Sequence, residues 1–220
     1  MKVILFGATG MVGQGVLREC LLADDVTEVL SVGRTPLSRA DPKLRELLLP
    51  SLDDLTPVAD QLAGYDACYF CLGVSSVGLD EAAYRRITYD LTLGVARLLA
   101  ERNPGSTFTY VSGQGTDSSE QGRTMWARVK GKTENDLLAL PLETYVFRPG
   151  FIQPMNGEGP RTPALRWGYR ALAPVTKLAT RAFPKYATTT EALGRAMLQV
   201  TREKPEPRVL GNPEITRLGR

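Results

Sequence analysis

Histidine is absent from the 220 residues. That absence excludes Ser–His–Asp and Cys–His catalysis, His-ligated zinc and any imidazole acid–base step, so a proton moved by this chain must travel on Tyr, Lys, Cys, Ser or a carboxylate. Cysteine is scarce, with only Cys20, Cys68 and Cys71. The last two have C-x-x-C spacing, but they sit in the apolar run Ala67 to Leu72, which reads as a strand. Residues three apart on a strand face opposite sides, so buried small hydrophobes are the better reading than a redox pair or metal site. No apolar stretch reaches the roughly 18 residues that cross a bilayer. The opening MKVILFGATG lacks the length and cleavage pattern of a secretory leader, and a cytoplasmic protein is expected. Charge of neither sign dominates: the net charge is +3 and the pI about 8.8. That balance supports no nucleic-acid partner, and none is expected. The 43% hydrophobic and 23% charged fractions exclude a largely disordered chain, and the length fits one α/β domain over residues 1–220.

The most informative stretch is Val3 to Gly13, VILFGATGMVG. A continuous apolar run stops at three glycines spaced Gly7-x-x-Gly10-x-x-Gly13, and the following QGVLREC has helical character. This reads as a buried strand, a tight turn and a helix start. Such a turn aims backbone N–H groups at a diphosphate from a positively polarised helix N-terminus. A dinucleotide is the first hypothesis.

Strands and helices then alternate. The pattern predicts a helix over 12–22, a strand over 29–32, a short amphipathic segment over 43–48 and a strand over 66–72. It continues with a long helix over 81–102, with apolar positions at Ile87, Leu91, Val95, Leu98 and Leu99. A strand over 107–111, a helix over 125–140, a strand over 144–147 and a helix over 191–200 complete it. Alternation of this kind implies a doubly wound parallel sheet, the Rossmann fold. Residues 154–190 break the rhythm with five prolines around a basic, apolar segment. They are expected to form a substrate-side lid. Within 161–185, Arg166, Arg170, Lys177 and Arg181 offer a basic face for peripheral membrane or protein docking, against the reading of a simply solvated charge set.

Taken in order, GATGMVG at the first turn, VGR after the second strand, LDDL at 52–55, CLG at 71–73, YVSG at 110–113, a lysine at 130 and RPG at 148–150 resemble the atypical short-chain dehydrogenase/reductase superfamily. The resemblance is to its small NmrA-like, nucleoside-sugar-epimerase-like branch. It implies a nicotinamide dinucleotide held by Gly7, Thr9, Gly10, Met11, Val12 and Gly13. By position it adds Asp53 near the adenine, Leu72 and Gly73 beneath the ribose, Lys130 on the nicotinamide ribose, and Pro149, Gly150 and Phe151 beside the nicotinamide. An NAD-selective site places a carboxylate at the end of the second strand to meet the ribose 2′-OH. Here that place reads Val32-Gly33-Arg34-Thr35. A guanidinium there attracts a 2′-phosphate, so NADP is expected over NAD.

The superfamily's reaction uses a Tyr-x-x-x-Lys pair on one helix and a serine at the preceding strand end. Residues four apart share a helical face, so the lysine can lower the phenol's pKa while the tyrosine carries the proton. Here the pair reads Trp126-Ala127-Arg128-Val129-Lys130. An indole N–H donates a hydrogen bond but does not cycle a proton near neutral pH. Lys130 and Ser112 are the catalytic candidates, with Gly113 competing for the serine's place and Tyr84, Tyr89, Tyr110 or Tyr145 as sources of a displaced phenol. Two readings follow: an NADP-binding oxidoreductase or epimerase-like enzyme with an unidentified small-molecule substrate, or a catalytically silent NADP-binding regulator or assembly factor. A monomer or homodimer is expected.

Overall fold

The computed structural model describes residues 1–159 and 186–220. The expected lid and docking segment falls mainly on residues 160–185, which lie outside the described residues.

Strand β1 (Lys2–Phe6) forms from the VILF run and is buried on both faces. It pairs in parallel with β2 (Glu28–Gly33) on one side and β4 (Ala67–Phe70) on the other. β3 (Leu44–Leu48) adds to the outside of β2. β5 (Thr107–Val111), β6 (Glu143–Arg148) and β9 (Val209–Gly211) extend the far side, giving a seven-stranded parallel sheet in the order β3-β2-β1-β4-β5-β6-β9. The sequence order reverses between β1 and β4, and that switch point opens the crevice where doubly wound sheets bind ligands.

Period-two alternation sends neighbouring side chains to different cores. Val3 and Leu5 join Tyr69, Tyr145 and Phe147 beneath α1 (Met11–Leu22), α5 (Thr190–Glu203) and α6 (Asn212–Leu218). Ile4 and Phe6 face the opposite layer, where α3 (Leu91–Arg102) and α4 (Met125–Leu138) cover the sheet. Phe6, Phe70 and Phe108 form a ladder there, with centroids 5.6 and 5.9 Å apart. Cys68 belongs to this second core and Cys71 packs against the first, so the C-x-x-C thiols sit on different sides of the sheet.

Three elements differ from the sequence pattern. The amphipathic segment near 43–48 is the edge strand β3, whose exposed Arg45 and Glu46 suit an unpaired edge. The long helix is interrupted. α2 (Glu81–Arg85), N-capped by Asp80 accepting from the Ala83 N–H at 2.8 Å, runs into a π-helical turn, Arg86–Asp90, before α3. The wider turn shifts the register, so Ile87, expected on the core face, is 38% exposed, whereas Val95 and Leu99 are buried. Finally, β7 (Phe151–Gln153) and β8 (Ala187–Thr189) pair in parallel as a separate two-stranded sheet. This pairing brings together the two ends of the expected lid.

Candidate functional site

The glycine turn closes by a hydrogen bond from the Gly10 N–H to the Gly7 carbonyl, 2.9 Å. Gly7 adopts φ +84°, and a Cβ there would lie 2.8 Å from the Cys71 backbone. A Cβ on Gly13 would lie 2.1 Å from the Gly7 carbonyl oxygen. These two glycines therefore let the turn, β4 and α1 approach one another. Gly10 stands at the N-cap of α1, and no side chain caps that helix. The leading N–H groups of α1 thus lack a side-chain acceptor, as a diphosphate site requires.

A cavity of about 370 Å³ lies beside this turn, at the β1/β4 switch point. It brings together seven of the residues expected to bind a cofactor: Gly7, Thr9, Gly10, Arg34, Asp53, Leu72 and Gly73. Arg34 is exposed and makes no hydrogen bond or ion pair among the described residues. The Asp53 carboxylate accepts from the Ser51 hydroxyl at 2.6 Å. Its neighbour Asp54 instead accepts from the Thr56 N–H, a bond that holds its carboxyl below the ordinary range. Met11, Val12, Gly13, Ser112, Lys130, Pro149, Gly150 and Phe151 do not line this cavity. A larger, shallow depression of about 810 Å³, lined by residues such as Tyr65, Asn103 and Arg202, lies at the N-terminal ends of the strands, away from the glycine turn.

Lys130 sits on the sheet side of α4 at the C-terminal end of β5. Its ammonium is 3.4 Å from both the Tyr110 hydroxyl and the Val111 carbonyl oxygen, and 5.1 Å from the Tyr110 ring centroid. Burial pushes its pKa down to about 8, against the opposing pull of Glu134. One helical turn earlier, the partly buried Trp126 lies beside Gly115, where a Cβ would be 3.4 Å from the indole. Gly115 has φ +89°.

Ser112 follows β5 and is buried, 2.9 Å from the Thr116 hydroxyl. Thr116 donates to the Gly113 carbonyl at 2.8 Å, so Ser112 is the donor of the shared bond. In this arrangement its proton is engaged within the turn.

The four candidate phenols are all held above their ordinary range. Burial pushes Tyr84, Tyr110 and Tyr145 up, and Tyr89 is raised first by its bond to Asp136. Only Tyr110 approaches Lys130, and it is 1% exposed.

Pro149 and Gly150 link β6 to β7. The Gln114 N–H donates to the Pro149 carbonyl at 2.9 Å, which ties this link to the loop after β5. Phe151 projects at 39% exposure. Three further cavity residues, Arg86, Ile87 and Leu91, come from the π turn and the start of α3. Sequence periodicity missed them as a ligand wall because a π turn leaves no 3.6-residue signature.

No protein-family model matches the chain. Over 175 residues it is 31% identical to the protein named "fmp52, mitochondrial" of Aspergillus clavatus, covering 76% of this chain and 73% of that one. The chain belongs to the Fmp52 family. Rat HTATIP2 is also similar, 27% identical over 154 residues, which are 69% of this chain and 62% of the rat protein. These relatives are atypical short-chain dehydrogenase/reductases, the superfamily the motifs pointed to. Two solved structures share the fold. Bordetella bronchiseptica WbmF in complex with NAD+ superposes with a TM-score of 0.68 at 17% identity, covering 99% of this chain and 76% of its own. The dTDP-glucose 4,6-dehydratase DesIV of Streptomyces venezuelae, with NAD bound, gives 0.68 at 16%, covering 98% and 79%. This Fmp52-family chain thus has the Rossmann architecture of NAD(P)-binding epimerases and dehydratases. The cytoplasmic location expected from its sequence is overturned by the Fmp52 relatives, which are named mitochondrial.

Proposed function

We propose that this Fmp52-family chain binds NADP, in preference to NAD, at the β1/β4 switch point and acts as an oxidoreductase or epimerase-like enzyme on a small molecule. The observation that carries the cofactor reading is Arg34. Its guanidinium, without an ion pair among the described residues, stands on the cavity wall where an NAD-selective site would place a carboxylate. The uncapped start of α1 supports a diphosphate in the same groove, and the cavity beside it suits an adenosine.

When bound, the nicotinamide supplies hydride exchange at its C4. In this reading Lys130 holds the nicotinamide ribose from the end of β5, where its ammonium makes only long contacts and keeps donors free for a ligand. Pro149, Gly150 and Phe151 border the nicotinamide end, and the substrate lies beyond them at the strand ends.

Trp126 favours a second reading, in which the chain holds NADP and changes a docking surface without turnover. The two separate on one experiment. Purified protein is incubated with NADPH and a panel of carbonyls and quinones while cofactor oxidation is followed, and Lys130→Ala and Trp126→Tyr are run beside it. Turnover that Lys130→Ala abolishes supports the enzyme. Tight NADPH binding with no turnover across the panel, in wild type and Trp126→Tyr alike, supports the regulator.

A further inference from the structure

Two elements of different origin contribute to the cavity lining. One is the end of β2 with Arg34; the other is the π turn and the start of α3, which contribute Arg86, Ile87 and Leu91. π-helical turns inside α-helices recur at functional sites because the extra residue redirects side chains. Here the turn separates two consecutive arginines. Arg85 lies against its own helix, with its guanidinium 4.6 Å from the Tyr89 ring and 3.7 Å from Asp90. Arg86 lines the cavity, and its side chain has no ion pair or hydrogen bond among the described residues.

The same pattern marks Arg34, whereas Arg102 and Arg128 on the flanking helices each hold a carboxylate, Asp60 and Glu81. The cavity acid Asp53 is bonded to Ser51 and pairs with neither cavity arginine. Two guanidiniums without ion pairs among the described residues thus line one small cavity, together with the glycine turn, the Ser51-bonded Asp53 and apolar side chains such as Leu72, Ile87 and Leu91.

We propose that Arg86 is a specificity-determining residue which, with Arg34, holds the 2′-phosphate of the adenosine moiety, while Ile87 and Leu91 cover the purine. This rests on the NADP reading above. A single exposed guanidinium discriminates modestly, because water competes for it. Two cations from separate elements lining one cavity can hold a dianionic phosphate with more than one charge-assisted bond.

The test needs no turnover. Binding of 2′,5′-ADP and of 5′-AMP is measured by titration calorimetry for wild type, Arg86→Ala, Arg86→Lys and Arg34→Ala, with melting temperatures confirming that each variant is folded. Wild type is expected to prefer 2′,5′-ADP. Arg86→Ala should weaken 2′,5′-ADP about tenfold, the loss of one charge-assisted bond, and leave 5′-AMP within about twofold. Arg86→Lys should fall between. Equal losses for both ligands place Arg86 on the purine or the 5′-phosphate and overturn the proposal, as does an unchanged affinity for 2′,5′-ADP. The NADP reading fails separately, if wild type binds the two ligands equally or Arg34→Ala leaves their ratio unchanged.

Discussion

Arg148, the arginine of the RPG segment, is clamped to Glu134 on α4: its Nε lies 3.1 and 3.0 Å from the two carboxylate oxygens, and its Nη2 bonds the carboxylate and Ser118. One ion pair thus joins the end of β6, the helix that carries Lys130 and Trp126, and the loop after β5. The two partners differ in burial, the Glu134 side chain being 1% exposed and that of Arg148 24%. Removing the cation strands a buried carboxylate, whereas removing the carboxylate leaves an arginine that water can reach. Arg148→Ala should therefore cost about 3 kcal/mol, near the lower bound for breaking a buried pair, and Glu134→Ala distinctly less. Urea unfolding of the two variants checks the order.

The three glycines of the first turn should separate into fold and ligand roles. Gly13→Ala pushes a methyl against the Gly7 carbonyl and should destabilise by about 1–3 kcal/mol. At Gly10 the added Cβ would sit 3.3 Å from the same oxygen, with φ −81° already acceptable to alanine. Gly10→Ala should keep its melting temperature within a few degrees while weakening NADPH. Thermal melting and NADPH titration of both variants test the division.

Burial of Lys130 gives stability a pH signature. Its pKa falls from 10.5 to about 8 on folding. Between those values the unfolded chain binds more protons than the folded one, so this group makes stability rise with pH across that window. Below pH 8 both states are protonated, and the folded state carries the full desolvation penalty. Lys130→Met should therefore be more stable than wild type at pH 7, with an advantage that shrinks toward pH 10. Paired unfolding curves at pH 7 and 9.5 give the comparison; an advantage that grows with pH contradicts it.

Burial also governs the cysteines. It pushes the thiols of Cys20, Cys68 and Cys71 well above their ordinary range, and thiolate is the reactive form. Iodoacetamide at pH 7.5 should label none of them at an appreciable rate in the folded protein and all three after unfolding. Mass spectrometry reads the count.

Much of this architecture is legible in the sequence. The β1–turn–α1 unit is written by VILF and three glycines, and the β5 range Thr107–Val111 follows from its β-branched and aromatic residues. That Arg34, Leu72 and Gly73 meet in one cavity is equally legible, because they hang on backbone turns at fixed offsets: Arg34 follows β2, and Leu72 and Gly73 follow β4. What escapes sequence reasoning depends on register or on partners distant in the chain. Ile87 and Arg86 face the cavity only because a π turn displaces the helical period. β7 and β8 are three residues each, and their pairing joins positions 36 apart. Ser112 is placed correctly at the end of β5, but its engagement with Thr116 depends on the path of the loop that follows.

The proposed preference for NADP hangs on Arg34. Dissociation constants of NADPH and NADH for wild type and Arg34→Ala test it most directly. Wild type is expected to bind NADPH at least about tenfold tighter than NADH, the scale of one charge-assisted contact, and Arg34→Ala to abolish most of that preference. Equal affinities in wild type, or a preference that survives in Arg34→Ala, would contradict it.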